Sequence, residues 1–516
     1  MSLDKKLKER IAQIDKNLDK IVKNPYEHKK PKFVFPAWAK ISLSIGGAVT
    51  ACCLVAAVVL PITLMLGMKN NANGSRHMDG ISSHIPEKGE SSEVKNTTHV
   101  PQDNSTHKIA SSKAGKVVDT PITDMSAMTY NSYISFTKKF TKLVMTTNNS
   151  GSNEGNLGIS IPDAYLCLAQ IAMISDDYGK GDILSYLDLS SMNELKISVR
   201  EILSTLGSLY RNGDNELVGG YNLNSIWINP YKATLKEKDN TLYKDLEEVF
   251  DTSMYYNALT TEKINEYLKD NGLDGFPTPE VKLEDDAQSA DAIDVVSTYY
   301  CLDNNTPYIS SVNSRVSRTD ENMLNFKTKG SSKSVKYLDT LDSTKDDIYT
   351  GSNFKGASMD LEYFNAAFFL PDDENALPSS ILDDVLNSNY ETTRDNTRIK
   401  APYFLMDNNI EIKGQSLKSQ FPNLTIGGMG SKLIEEDVAF KTLKQFSTMR
   451  FNYDGFYSCS VTIGGGSSGM SPKANYTLTL DHPYLFEVRK TVNLDNNQSA
   501  NIPMVIGEIV NPEYSE

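Results

Sequence analysis

Asp481-His482-Pro483-Tyr484-Leu485-Phe486-Glu487-Val488-Arg489 reads as a strand, because aromatic and branched residues crowd it and Pro483 stands near its start, where a missing N–H is tolerated. His482 is the one histidine after His107; the other five are His28, His77, His84, His99 and His107. A Ser/His/Asp or Cys/His hydrolase needs an imidazole as general base, and a mononuclear zinc site needs several ligands in one place. One histidine in a strand-like run supplies neither, so His482 reads as structural. Cys167, Cys301 and Cys459 are isolated from one another, with no CxxC pair, and no phosphate loop or EF-hand pattern occurs. Acidic runs such as Glu284 to Asp286 read as solvated faces. No cofactor and no metal are expected.

Upstream of this strand, helical signals come first. Tyr133, Phe136, Phe140 and Leu143 form one apolar stripe, Tyr165 to Ile174 is a second apolar stretch, and Leu195 to Tyr210 alternates at helical spacing. Leu223 to Ile228 is strand-like, Lys236 to Val249 is a charged helical stretch, and from Val295 onward most segments are strands bounded by Asn, Asp, Gly and Pro. Helices first and strands later predict an α+β domain over residues 125–516.

The N-terminal quarter has another character. Of 516 residues, 66 are acidic and 52 basic, a net charge of -14, which argues against a protein built to grip nucleic acid. Residues 1–40 alone hold eleven Lys or Arg and five Asp or Glu, a net +6, which leaves -20 for the remainder. Residues 41–68 carry no charge and exceed the roughly 20 residues that cross a bilayer, so they predict one transmembrane helix. The basic residues before it place the N-terminus in the cytoplasm and the C-terminal domain outside the cell membrane. Val49-Thr50-Ala51-Cys52 is the rival feature, a lipobox-like sequence of the bacterial kind, and a bacterial source is expected. Leu3, Leu7, Ile11, Ile14, Leu18 and Ile21 outline a short amphipathic helix in the tail. Residues 69–124, rich in Ser, Thr, Asn, Lys and Gly, read as a flexible stalk with sequons at Asn73, Asn96 and Asn104.

Taken in order, several short motifs resemble the serpin family. The Asp481–Arg489 stretch is similar to the family's D-x-P-F-L-F-x-I-R strand, and Ile506-Gly507-Glu508-Ile509-Val510-Asn511-Pro512 to its closing M-G-R-V-x-N-P. Phe368-Phe369-Leu370-Pro371, Ala401-Pro402-Tyr403-Phe404, Leu417-Lys418, Leu223–Ile228 and Thr261–Tyr267 fall where the family has related sequences. The resemblance implies about nine helices, three β-sheets and an exposed reactive-centre loop before the Asp481 strand. A protease cuts that loop, which then inserts as an extra strand into a large sheet and carries the acylated protease with it. Such a protein is no enzyme. Its partner is an extracellular protease, of serine or cysteine type, and it is expected to be a monomer.

By the same resemblance Gly455 is the hinge glycine, and the reactive bond is Gly469–Met470, or Met470–Ser471 if the following segment is one residue shorter. The residues entering the sheet core are Phe456, Ser458, Ser460 and Thr462, three of them small and none charged. The chain departs from the inhibitory pattern in Tyr453, Asp454, the bulky Phe456 and Tyr457, and Ser458-Cys459-Ser460 in place of alanines. Ser160-Ile161-Pro162-Asp163-Ala164 replaces the family's S-P-L-S, and Val296 to Pro307 lacks its Asn-Ala-x-Phe-x-Gly-x-Trp. A large first side chain is expected to slow insertion. Two functions stay open: a membrane-anchored inhibitor that traps proteases, and a non-inhibitory serpin-fold module for binding or adhesion on the cell surface.

Overall fold

The computed structural model describes residues 107–110, 116–118, 120–148, 155–211, 217–272, 279–302, 323–340, 345–361, 363–452, 455–457, 474–496 and 498–513. The basic tail, the 41–68 segment and most of the expected stalk lie outside them. No helix among the described residues is long and apolar enough to cross a membrane.

In chain order the strands and helices are β1 (His107–Ala110), β2 (Lys116–Val118), β3 (Asp124–Met125), α1 (Ala127–Asn148), β4 (Leu157–Ser160), α2 (Ile161–Ile174), α3 (Asp177–Tyr186) and α4 (Met192–Thr205). Then follow β5 (Ser208–Arg211), β6 (Leu217–Ile228), α5 (Asn240–Glu248), β7 (Thr252–Tyr256), α6 (Thr261–Asn271) and β8 (Ile293–Leu302). The later part is β9 (Met323–Thr328), β10 (Ser331–Asp339), β11 (Lys345–Thr350), β12 (Phe354–Asp360), β13 (Asn365–Pro371), a 3-10 turn at Pro378–Ile381, α7 (Leu382–Leu386), β14 (Glu391–Pro402), β15 (Phe404–Lys413) and α8 (Gly414–Gln420). It closes with β16 (Thr442–Asn452), β17 (Gly455–Tyr457), β18 (Tyr476–Thr479), β19 (Tyr484–Leu494) and β20 (Ser499–Ile509).

Local chemistry explains the boundaries. The α1 stripe buries Tyr133, Phe136 and Phe140 completely or nearly so, while α2 is apolar on almost every side and is a core helix. Side chains of Asp176, Ser191, Asp239 and Thr260 accept hydrogen bonds from the first-turn N–H groups of α3, α4, α5 and α6. The Asp239 cap starts α5 at Asn240, so the helical reading of Lys236 to Val249 begins too early. The helical reading of Leu195 to Tyr210 runs too long: α4 ends at Thr205, and Ser208–Arg211 is a strand that pairs with β6.

A nine-stranded sheet has the order β1-β7-β6-β8-β17-β16-β15, with β5 on β6 and β2 on β5. A second ladder runs β4-β20-β19-β13-β12-β11-β14. Residues Glu391 to Asn396 of β14 pair with β11, whereas Thr397 to Pro402 pair with β18 and β10. One strand thus joins the second ladder to a third, smaller sheet of β9, β10, β14 and β18. The architecture is α+β with three sheets, and eight α-helices are found among the described residues.

The Asp481–Arg489 motif begins β19, which pairs with β13 on one side and β20 on the other. His482 is buried ahead of it. Its Nε2–H donates to the Pro371 carbonyl at 2.8 Å and so joins the segment ahead of β19 to the end of β13, while Nδ1 lies 2.8 Å from the Oδ1 of the neighbouring Asp481.

The folded body begins earlier than residue 125. β1 pairs antiparallel with β7 and β2 pairs parallel with β5, although both lie in the 69–124 stretch read as stalk. Their ladders are made by backbone groups, which need no apolar alternation and so leave no compositional trace. Further along, Lys490 of β19 is buried and donates to the Ile122 carbonyl at 3.0 Å, to the Thr205 carbonyl and to the Tyr363 hydroxyl. Burial lowers its ammonium pKa from the ordinary lysine range to about 7. A lysine with a depressed native pKa binds fewer protons folded than unfolded, so stability rises with pH above the native value. Thermal melts between about pH 7 and 9.5 should therefore rise in the natural chain, and the rise should shrink in Lys490→Met.

Candidate functional site

Two ladders of the nine-stranded sheet face each other across a gap. β6 and β8 pair over their full length, from Gly219↔Leu302 to Ile228↔Ile293. β15 and β16 do the same, from Phe404↔Phe451 to Lys413↔Thr442. Among the described residues only β17, three residues long, stands between them. Asn452, Phe451 and Arg450 oppose Gly455, Phe456 and Tyr457 on one side, and Leu302 opposes Tyr457 on the other. Beyond β17 no backbone pairing joins β8 to β16 among the described residues.

The gap continues as a cavity of about 490 Å³. Its sides are β8 and β16. Asp163, Cys167 and Ile171 of α2 line one end of its depth, and Ile264 and Leu268 of α6 line the other. The two faces of the sheet are covered by different layers, since Trp227 stacks on Tyr255 at 4.3 Å and meets Tyr267 of α6 edge-on at 5.8 Å, while the α1 and α2 core packs on the opposite face. The site is a strand-shaped slot between two layers.

Phe456 closes the top of the slot. It is 1% exposed, with its ring 6.2 Å from Phe486. Phe486 in turn lies 5.3 Å from Phe404, which stacks on Phe451 at 5.7 Å. Phe456, which the family resemblance leads one to expect as the first side chain to enter the sheet, is seated in an aromatic cluster. Gly455 stands beside it in β17, opposite Asn452. The remaining expected site residues, Ser458, Ser460, Thr462, Gly469, Met470 and Ser471, lie outside the described residues, as does Cys459.

Lower in the slot, Gln445 of β16 ties the sheet to the start of α2. Its Nε2 donates to the Ser160 carbonyl at 2.7 Å and to Asp163 Oδ1 at 3.2 Å, and its Oε1 accepts from the Ser160 N–H at 3.0 Å. Ser447 Oγ donates to the Gly158 carbonyl at 3.2 Å. Burial pushes the Asp163 carboxyl up to about 7 against the opposing pull of its hydrogen bonds. It also pushes Asp294 up to about 7, with the nearby Asp291 charge adding to the rise. Both side chains line the cavity and are partly exposed there, and their burial away from bulk water favours the neutral acid. Cys167, whose Sγ–H points to the Val295 carbonyl at 3.5 Å, is raised to about 12 by burial and by Asp163.

Sequence reading marked the 160–164 segment as a departure among residues that tune sheet opening, while Gln445 and Asp294 carried no signal: the partners of Gln445, Ser160 and Asp163, are far away in sequence, and Asp294 is set apart by burial, which no local pattern shows. No group of His, Cys, Asp and Glu among the described residues is arranged to hold a metal.

No family model and no curated protein sequence matches the chain. Solved structures do. The chain is similar to a highly specific serpin of the insect Tenebrio molitor, at 14% identity and a TM-score of 0.55, over 74% of this chain and 98% of that one. It is similar to an Arabidopsis serpin in its native stressed conformation, at 16% identity and a TM-score of 0.55, over 74% of this chain and 98% of that one. Thyroxine-binding globulin in complex with thyroxine matches at 13% identity and a TM-score of 0.53, over 75% of this chain and 100% of that one. At such identities the likeness is one of architecture, and it agrees with the α+β arrangement of helices and three sheets: the chain has the serpin fold.

Proposed function

We propose that the protein is a membrane-anchored, extracellular inhibitor that traps a serine or cysteine protease by letting its bait loop be cut and then drawing the loop into the slot. The observation that carries this reading is β17, a strand already started between β8 and β16 with a cavity ahead of it. Each residue added to such a strand makes ladder hydrogen bonds to one or both neighbours, worth about 0.5–1.5 kcal/mol apiece net of water. A run of them outweighs the entropy of ordering a loop that cleavage has freed at one end. Two unpaired strand edges become paired.

Continuing the β17 register sets Ser458 against Met449 and Cys301, Ser460 against Ser447 and Tyr299, and Thr462 against Gln445 and Ser297. All three fall on the face that Phe456 occupies. Small hydroxyl side chains suit that face, where α2 packs closely. Phe456 supports fast entry, since its large side chain has no barrier left to cross. The 41–68 segment, read from sequence as a span, is the anchor in this proposal, and the folded body is displayed outside.

The full chain in detergent, mixed with subtilisin-like, elastase-like and papain-like proteases, should form an SDS-stable complex with at least one of them. Cleaved loop alone, with every protease still active, sinks the reading. The mass of the released peptide then decides between the Gly469–Met470 and Met470–Ser471 bonds.

Thr462→Glu would place a second carboxyl beside Asp163, so trapping should fall about tenfold or more while loop cleavage continues.

Phe456→Ala removes roughly 3–5 kcal/mol of packing, enough to release a three-residue strand. Backbone hydrogen exchange at 455–457 should rise to that of open chain, and trapping should slow. Unchanged exchange would mean that the aromatic seat does not hold the hinge.

A second reading has two observations in its favour. The slot cavity has the size of a small-molecule pocket, and one structural neighbour is thyroxine-binding globulin in complex with thyroxine. A binding module would gain no stability when its loop is nicked, whereas an inserting chain would.

A further inference from the structure

The slot has a chemical feature that strand insertion does not need. Four aspartates line it, Asp163 at the start of α2, Asp291 and Asp294 just before and on β8, and Asp437, together with Lys232, Lys441 and Lys444. Asp163 and Asp294 are the two whose burial favours the neutral acid, and neither forms an ion pair among the described residues. Asp163 is met by the Gln445 amide from β16, by Tyr299 from β8, by Tyr133 from α1 and by Cys167 one helical turn on. Apart from Asp163 these groups are amide, phenol or thiol, so no cation balances a carboxylate there. Asp294 is met by Asp291 from its own segment and, at longer range, by Lys444 of β16 and Lys232.

We infer that filling the slot is coupled to proton uptake by Asp163 and Asp294, so that strand insertion is favoured in acid and resisted in alkali. Filling replaces the cavity beside each carboxyl with peptide, whose backbone N–H groups are committed to the ladders on either side. The charged form then loses what remains of its solvation, and the neutral form loses little. Each carboxylate takes one proton from solvent as the strand passes. By linkage, a state that binds more protons gains stability as the pH falls. In the open slot both groups already titrate near neutrality, so the effect falls in an ordinary pH range. The slot is thereby an acid-tuned acceptor, most retentive of its strand where the surroundings are mildly acidic.

This inference rests on the insertion reading, and the test separates the two. The full chain is nicked in its loop at a single pH, and guanidinium midpoints of the intact and nicked forms are then measured from about pH 5.5 to 8.5. The nicked-minus-intact gain should be largest at the acid end and shrink through neutrality. Asp163→Asn and Asp294→Asn should each flatten that slope while keeping a gain on nicking, and either variant suffices if the other fails to fold. A gain of constant size, one that grows with pH, or a slope kept in both variants overturns the proton coupling and leaves insertion intact. No gain at any pH overturns insertion, and the coupling with it.

Discussion

Two long strands held one strand-width apart are the constraint on which the rest of the structure depends. β8 is fixed by its ladder to β6, and β16 by its ladder to β15. Each therefore presents a second edge of N–H and C=O groups to the gap. Such edges invite any extended peptide to pair, which natural sheets avoid by covering or shortening them. Here they are covered from above and below by α6 and α2, and capped at one end by three residues of β17. The covering layers leave a channel whose cross-section is that of a single strand.

How much of this is written in the sequence differs from part to part. β19 and β20 are legible, because Tyr484 to Arg489 and Ile502 to Ile509 concentrate apolar, strand-forming residues and are central to their sheet on both sides. The α1 stripe is legible for the same reason, since Phe136 and Phe140 are buried at helical spacing. The slot is not, because it exists only where a strand near residue 300 and another near residue 445 are held apart, and no window of sequence contains both. β1 and β2 are hidden in a polar stretch, since short edge strands rely on main-chain bonds. The early start given to α5 and the late end given to α4 have local causes, a capping aspartate and a chain reversal after Thr205.

Phe456 reverses the weight of one sequence argument. A bulky first inward residue is an obstacle if it must force its way between packed strands. Phe456 sits against Phe486 and opposite Phe451, so under the proposed insertion it would act as an anchor, its place in the sheet being already filled. The same side chain is a cost or a gain according to which side of such a transition it is found on. Gln445 works in the complementary way. It holds β16 to the start of α2 through three polar contacts, and so fixes the width of the channel where Phe456 fixes its end.

The strands β1 and β2 give the molecule a mechanical character. Both belong to the same sheet as the slot, with β1 at its outer edge on β7. Any pull arriving from the N-terminal side of the chain is borne first by their few backbone hydrogen bonds, before it reaches the buried Lys490 and the strand it belongs to. Short ladders at an edge open one bond at a time under tension. With three paired positions each, they would part before the ten-pair ladders of β6 with β8 and β15 with β16 behind them.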